Sequence, residues 1–576
     1  MLAVAAFSLT ACVDDLNTKP IDTHSSTSFN QQRMFTKCYA TLGLIGQSLP
    51  TEDSDVEDMD AGTSSFYRTA WYCNDLTTDE AWWIHDDEES IQIRSTSWTG
   101  NNAMVRGIYT RMNIDVKYYN HYISNASTST QDEKYCMAEV RFLRALHYFY
   151  IMDMFLYAPF CISESSDYPH FKPRHEIYKW LVSELNELIG ELPEKRLSLY
   201  RVDKCAAQLL LARVYLNADV YNKYNPTWTA NSNETWKRAA DMADMVINNS
   251  NYNLFTGPAL PTDSDFVYST YQQLFMGDNN RPDVAKEFPL LIYQDGVYCR
   301  SYGGMMLVSA MRDKGMTAWG TEEQWNCIRT SPTMVDKFLK TAGLSRSEAK
   351  AIKLDEYHMP ARLGDDRAIM CSYAPGTDKK EFGLSGNQTH DDTKYFYDCW
   401  AAPKFTAVYS TASLPSLSPR QDATWPDNDI PLFRVAEAYL IKAEAMFRQG
   451  NIGEAKDLIN NTIRKRANAG DLVELDEETL LDEWCREFFF EGRRRIDLIR
   501  FGRFYGPQSD QYQYNWEGRL QTNDNAPFVS GSDEHWNWFP IPSEDKMANP
   551  NFRTDVMNDK NNPFASPYGD GYSFTD

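Results

Sequence analysis

The chain has 576 residues, 42% of them hydrophobic and 14% aromatic, with a formal net charge of −24. That length and apolar content exclude a disordered or fibrous protein, and the charge excludes polyanionic partners such as nucleic acid. Past the first residues no apolar run approaches the roughly 20 residues needed to cross a bilayer, so the body is expected to face water.

Leu2, Ala3, Val4, Ala5, Ala6, Phe7 and Leu9 are too few to span a membrane but suit the apolar region of an export signal. The run ends in Leu9-Thr10-Ala11-Cys12, which resembles a bacterial lipobox, where the cysteine is acylated and the preceding segment removed. Residues 1–11 are therefore expected to be the signal, Cys12 the lipidated residue and 12–31 a tether to one body over 32–576. Several acyl chains anchor stably where a single chain holds only marginally.

Within that body the pattern is mostly helical at both ends. Val140, Leu143, Tyr148, Ile151 and Phe155 mark a helix apolar on several sides, followed by a helix from Ile177 to Ile189. Ala207, Leu210, Leu211, Val214 and Ala218 begin a helical pair, completed after a Pro- and Asn-rich turn by Trp236, Ala239, Ala240, Ala243 and Ile247. From about 255 to 431, Gly, Pro, Asp and Asn break the chain, leaving helical patterning only over Glu322–Leu339 and Ser345–Leu354. Leu432, Val435, Ala436, Tyr439, Ala443, Met446 and Phe447 then share one helical face as far as Gly450. Asn451, Ile452, Ala455, Leu458 and Ile459 carry a second helix to about Ala467, with small Ala443 facing Ala455. This is the chemistry of a tetratricopeptide-like hairpin. The expected fold is mostly α, with a helical-hairpin scaffold over 32–254 and 432–576 and an irregular, loop-rich ligand-binding lobe over about 255–431.

No C-x-x-C pair is present, and Cys136, Cys205 and Cys485 sit inside apolar helical patterns as expected buried thiols. The acidic runs Glu52, Asp53, Asp55, Glu57, Asp58, Asp60 and Asp86-Asp87-Glu88-Glu89 could offer oxygens to calcium, but neither has the order of an EF-hand, and solvated loops are the better reading. No cofactor is expected. Arg486, Glu487, Glu491, Arg494 and Asp497 lie between Phe488-Phe489-Phe490 and Leu498-Ile499, which favours a buried ion-pair network over a catalytic carboxylate pair. His175-Glu176 lacks a second histidine at metalloprotease spacing, and there is no nucleophile elbow or phosphate-binding glycine loop, so an enzyme is not expected. A lipid-anchored glycoside hydrolase stays open as an alternative, since it needs only two carboxylates. An assembly adaptor using the hairpins is another.

Five segments in order resemble the SusD family, also called SusD/RagB, of outer-membrane lipoproteins in Bacteroidetes. They are Cys12 with Asp14-Asp15-Leu16-Asn17; Glu139-Val140-Arg141-Phe142-Leu143-Arg144-Ala145 with Tyr148-Phe149; Leu211-Ala212-Arg213-Val214-Tyr215-Leu216; Arg434-Val435-Ala436-Glu437-Ala438-Tyr439-Leu440; and Glu491-Gly492 with Arg494, Asp497 and Arg500, closed by Pro540-Ile541-Pro542 and Asn549-Pro550. The resemblance implies a cell-surface oligosaccharide-binding lipoprotein on the outer membrane, facing the medium and seated on a SusC-like TonB-dependent transporter. Some members handle peptides instead. Thr78-Asp79-Glu80-Ala81-Trp82-Trp83 resembles a family segment near the ligand face.

Sugars present flat C–H faces that stack on rings, flanked by hydroxyls that need amides, carboxylates or arginines. Trp98, Trp319 and Tyr298 are the favoured ligand residues, joined by Asn101, Asn102, Arg300, Tyr302, Trp325, Trp82 and Trp83. Two or three stacks at roughly 1 kcal/mol each, with a few hydrogen bonds of about 1 kcal/mol, predict a dissociation constant between about millimolar and micromolar. Such weak binding suits handover to a partner.

Overall fold

The computed structural model describes residues 29–46, 54–56, 59–83, 85, 87–261, 267–310, 321–322, 325, 327–345, 348, 363–369, 404–411, 422–504 and 534–562. The expected lipid-bearing Cys12 and its tether up to residue 28 lie outside them, as does Trp319.

The helices are α1 Gln31–Ala40, α2 Phe66–Asp75, α3 Glu88–Ser95, α4 Ala103–Asn125, α5 Gln131–Met154, α6 Arg174–Glu191, α7 Lys204–Leu216, α8 Ala218–Tyr221, α9 Ser232–Ile247, α10 Tyr302–Ser309, α11 Pro332–Ala342, α12 Val435–Arg448, α13 Ile452–Ile459, α14 Glu477–Phe488, α15 Arg494–Arg500 and α16 Ser543–Ala548. The strands form four two-stranded antiparallel ladders: β1 Ala81–Trp83 with β7 Ile328–Thr330, β2 Tyr157–Phe160 with β3 His170–Pro173, β4 Leu260–Pro261 with β5 Val267–Tyr268, and β6 Leu290–Ile292 with β8 Ile430–Phe433. The fold is mostly α. Among the described residues no helix is long and apolar enough to cross a membrane.

The scaffold is a series of neighbouring helices, α4 on α5, α5 on α6, α6 on α7, α7 on α9, α9 on α12 and α12 on α13. At its centre, α5 starts with a capping box between Thr130 and Glu133 and buries every residue from Ala138 to Met154 except Arg141. Contact between α9 and α12, far apart in the chain, rests on small residues: Ala239, Ala243, Ala436 and Ala443 are fully buried. Lys442 and Asp244 clasp the same seam at 2.6 Å. The irregular lobe is thus an excursion between two helices that pack together, and the β6–β8 ladder ties its departing and returning strands. Across the next turn Gly450 takes φ +87°, a left-handed conformation that glycine adopts without strain, and α13 folds back with Ala455 buried.

Several expected boundaries move. Leu432 lies in β8, because the apolar run crosses from strand to helix and α12 begins only after Arg434. The helix expected from Glu322 begins at Pro332, where Ser331 caps it by accepting from Met334 N–H at 3.1 Å. Before that cap, Ile328–Thr330 pairs with Ala81–Trp83 as a strand. Helix α10 was not expected, since Gly303 and Gly304 weaken its pattern; a Cβ on Gly304 would come within 2.6 Å of Gln294 Oε1. Most of Ser345–Leu354 lies outside the described residues. Cys205 and Cys485 are buried, whereas Cys136 is half-buried, 3.3 Å from Arg201 Nη2.

The charged C-terminal group is the buried network that its setting between apolar runs predicts. Glu487 contacts Arg434 at 2.8 Å and Arg367 at 3.5 Å and also meets Arg466, all fully buried. Glu483 takes Arg367, Arg464 and Arg486, each at 2.8 Å. Burial alone would raise the Glu483 carboxyl, but the three guanidiniums outweigh it and hold the group well below the carboxylate range. Glu287 and Lys404, from the lobe, join through Arg434 at 3.0 Å and Glu491 at 2.7 Å, so the network fastens lobe to scaffold.

Candidate functional site

Helix α2 buries all its residues except Arg68, which is half-buried. The Arg68 guanidinium lies 5.2 Å from the ring of Tyr72, 5.3 Å from Trp325 and 5.6 Å from Tyr302, within cation–π range of all three. Its Nε donates to the Tyr72 hydroxyl oxygen. Burial pushes the Tyr72 phenol up to about 12, so the ring stays neutral and keeps its proton. Tyr302, the first residue of α10, sets its ring 6.2 Å from Trp325 and 5.5 Å from Trp425, the latter edge-on at 64°. Three rings therefore gather about one cation, and Trp425 packs on one of them, Tyr302. Trp425 is buried, while Tyr302 and Trp325 are half-buried and keep surface toward solvent.

Backbone bonds at the end of α10 fix this group. Trp325 N–H donates to Ser309 C=O at 3.0 Å, and Cys327 and Ile328 N–H both donate to Ala310 C=O, at 2.8 and 3.0 Å. Chain leaving α10 therefore returns to its end. Glu322 N–H reaches Ala423 C=O at 2.8 Å, bringing the segment that carries Trp425 alongside.

Beside the rings a tight turn displays Tyr298, which is 82% exposed. Asp295 Oδ1 builds the turn by accepting the N–H groups of Val297 at 2.8 Å, Cys299 at 2.9 Å and also Tyr298. Burial opposes the charge of Asp295, yet the bonds from the Tyr293 hydroxyl and these N–H groups prevail and hold its carboxyl below the ordinary value. Gly296 N–H donates to Asp427 Oδ1 at 2.7 Å. Arg300 donates from Nε to Gly296 C=O at 2.9 Å and lies 3.4 Å from Asp422, which accepts from Thr424 and Trp425 N–H at 2.8 and 3.0 Å. One aspartate orients Tyr298, and another links Arg300 to Trp425. Beneath the turn, buried Asp429 accepts from Gln294 N–H and from the Tyr200 hydroxyl, both at 2.9 Å, and burial pushes its carboxyl up to about 7.

The arrangement can stack flat apolar faces on Tyr302, Trp325 and Tyr298 while Arg68, Arg300 and Asp422 supply polar partners. Known proteins resemble the chain that carries it. A model described as the SusD family matches residues 308–556. The starch-binding protein SusD of Bacteroides thetaiotaomicron is 37% identical over 578 residues, covering 96% of this chain and 96% of that one. The chain belongs to the SusD family. Among solved structures, a SusD-like carbohydrate-binding protein from Bacteroides fragilis superposes with TM-score 0.64 at 17% identity, covering 91% of this chain and 98% of that one. Surface glycan-binding protein A from Bacteroides thetaiotaomicron, in complex with laminarihexaose, gives TM-score 0.59 at 16% identity, covering 90% and 97%.

In this SusD-family chain the structure brings Tyr302 against Trp325, links Arg300 through Asp422 to the segment of Trp425, leaves Tyr298 exposed on the adjoining turn, and places the other expected ligand residues differently. Trp98 is 3% exposed and packs on Trp536 at 5.4 Å and Phe539 at 5.0 Å, so its faces are occupied by the C-terminal segment. Asn102 is the N-cap of α4, accepting from Met104 and Val105 N–H at 3.0 and 3.4 Å, and its amide donates to Gln92 at 2.9 Å. Asn101 is exposed beside it. Trp83 is buried with its ring 4.6 Å from Tyr72, and Trp82 lies in β1 opposite Arg329. Thr78-Asp79-Glu80 serves the interior. Asp79 binds Arg494 at 2.8 and 3.0 Å, and Glu80 Oε2 accepts from Phe490 N–H at 3.0 Å.

Of the acidic runs, Asp55 is paired with Arg111 at 2.6 Å and Lys37 at 2.8 Å, and Asp87 caps α3 through Ser90 N–H at 2.9 Å. Sequence reading missed Arg68, Tyr72, Trp425 and Asp422. One signal was available for Arg68: a single arginine within Phe-Tyr-Arg-Thr-Ala-Trp-Tyr, an otherwise interior-looking helix.

Proposed function

We propose that this protein binds neutral oligosaccharide at the cell surface without altering it and passes it to a SusC-like TonB-dependent transporter. The observation that carries the reading is the half-buried pair Tyr302 and Trp325 beside Arg68, backed by the buried ring of Trp425, with Tyr298 exposed on the adjoining turn. Rings that keep solvent-facing surface next to fixed polar groups suit the alternating C–H and hydroxyl character of sugars. The near-complete match to a starch-binding relative makes an α-linked glucan the first ligand to test. The laminarihexaose complex of a similar fold supports the carbohydrate class more widely.

In this reading Cys12 carries the lipid that holds the body on the outer membrane, and the transporter below receives the ligand. Weak binding is sufficient there, since tethering beside the transporter raises the local ligand concentration. No catalytic step is assigned. The carboxylates nearest the rings are already engaged, Asp422 by Arg300 at 3.4 Å and by two backbone N–H groups, Asp295 by the turn it builds.

The test is a glycan array probed with the soluble body lacking Cys12, paired with a reducing-sugar assay on each glycan retained. Retention of neutral glucans with no new reducing ends supports the reading. Release of reducing sugar replaces it with a hydrolase, and retention of peptides alone replaces the ligand class.

A further inference from the structure

We propose that the helical scaffold carries a second saccharide site, in the cavity of about 890 Å³ between α6, the end of α7 and the turn leading into α9. None of its lining residues belongs to the Arg68 group, so the site is additional to the one proposed above. Its volume falls within the range of small-ligand sites, about 300–1,000 Å³.

The cavity has a ring platform set in place without any ligand. Trp228 is half-buried at the tip of the turn, its centroid 6.1 Å from that of Tyr178 in an edge-on arrangement at 80°. Indole Nε1 donates to Asp219 Oδ1 at 3.1 Å, which fixes the rotation of the ring. The backbone beneath is equally constrained. Trp228 N–H donates to Asn225 C=O at 3.1 Å, while Asn225 Oδ1 accepts from Thr227 N–H at 3.1 Å and from its hydroxyl at 2.9 Å. The Asn225 amide donates one hydrogen to Asn222 Oδ1 at 3.1 Å and has a second to offer. A preset ring costs a ligand little ordering on binding.

Charge identifies the occupant. The chain carries a net charge of −24, yet in this cavity Lys172 is paired with Glu176 at 3.1 Å and Arg238 with Glu234. The lining cations Lys172, Lys179 and Arg238 nearly balance the carboxylates Glu176 and Glu234, with the exposed Lys179 as the extra charge, so indole, phenol and amide carry most of the recognition, which matches an uncharged polyhydroxylated ligand with flat C–H faces. That the ligand is a neutral sugar agrees with the function proposed above, but the geometry of this cavity stands independently of the Arg68 group.

Hydrogen–deuterium exchange on the full soluble chain separates the two sites. The probes are maltoheptaose, laminarihexaose and a xyloglucan heptasaccharide at about 10 mM, enough to load a millimolar site. With Tyr302→Ala disabling the Arg68 group, at least one probe is expected to slow exchange over residues 222–238. In the wild-type background Trp228→Ala should abolish protection over residues 222–238 and leave protection over residues 295–309 intact. Trp228→Phe, which keeps a ring but lacks the bond to Asp219, should retain part of it and guards against a simple loss of the turn. Protection confined to 295–309 with all three probes would overturn the second site alone, as would protection of 222–238 that survives Trp228→Ala. Absence of protection in both segments would overturn this site and the first reading together.

Discussion

Arg68→Ala removes the group around which the ring cluster is arranged. Its guanidinium lies between 5.2 and 5.6 Å from three rings. A cation–π contact contributes about 0.5–1 kcal/mol when exposed and about 2 when desolvated, and three contacts to one half-buried cation do not add fully. A loss of about 1–2 kcal/mol in the organisation of Tyr302 and Trp325 follows, a drop in saccharide affinity of roughly 5- to 30-fold. Tyr72 also loses the donor that meets its hydroxyl, worth about 1 kcal/mol in stability, so the melting temperature should fall by only a few degrees. Isothermal titration with maltoheptaose, run beside thermal melts, reads both effects. Arg68→Lys keeps the charge but not the planar fork, and should fall between wild type and alanine. If Arg68→Ala binds as tightly as wild type while Tyr302→Ala does not, the guanidinium is not what organises the rings.

Two further predictions concern the frame that holds the site. Glu487→Gln leaves Arg434, Arg466 and Arg367 facing a neutral group in the interior, and should cost about 3–5 kcal/mol in urea denaturation; an unchanged midpoint would contradict the network. Asp429 is pushed by burial from an ordinary carboxylate up to about 7, so the folded chain holds a proton that the unfolded chain releases above about pH 4. That contribution is complete below pH 4 and lost as pH rises through about 7, so stability measured against Asp429→Asn should decline across this window by as much as about 4 kcal/mol. Parallel pH curves for the two proteins would refute it.

The helices that pattern revealed, α5, α7, α9 and α12, are those whose apolar residues recur at steps of three and four; α7 and the C-terminal part of α5 are buried almost all round, whereas α9 buries only the face of Ala239, Ala243 and Val246. The ion-pair network was equally legible, since charges set among Phe488, Phe489 and Phe490 must find partners. Elements that depend on context were not. Ile328–Thr330 is a strand because Ala81–Trp83 lies beside it, a neighbour that local sequence does not contain. Tryptophans divide the same way. Trp98 and Trp325 look alike in sequence, yet one is sealed by Trp536 and Phe539 and the other keeps surface beside Arg68. Arg68, Tyr302 and Trp425 lie far apart in the chain, so their meeting is set by packing of α10 against α2 and by the turn at Asp422.

The most direct test of saccharide binding at the ring group is an equilibrium titration of the soluble body with maltoheptaose, repeated on the Tyr302→Ala, Trp325→Ala double variant. The wild type should saturate with a dissociation constant between about micromolar and millimolar, and the folded double variant should lose that binding at least tenfold. Equal affinity in the two proteins, or no binding by wild type to this sugar or any other neutral glycan, would contradict the account.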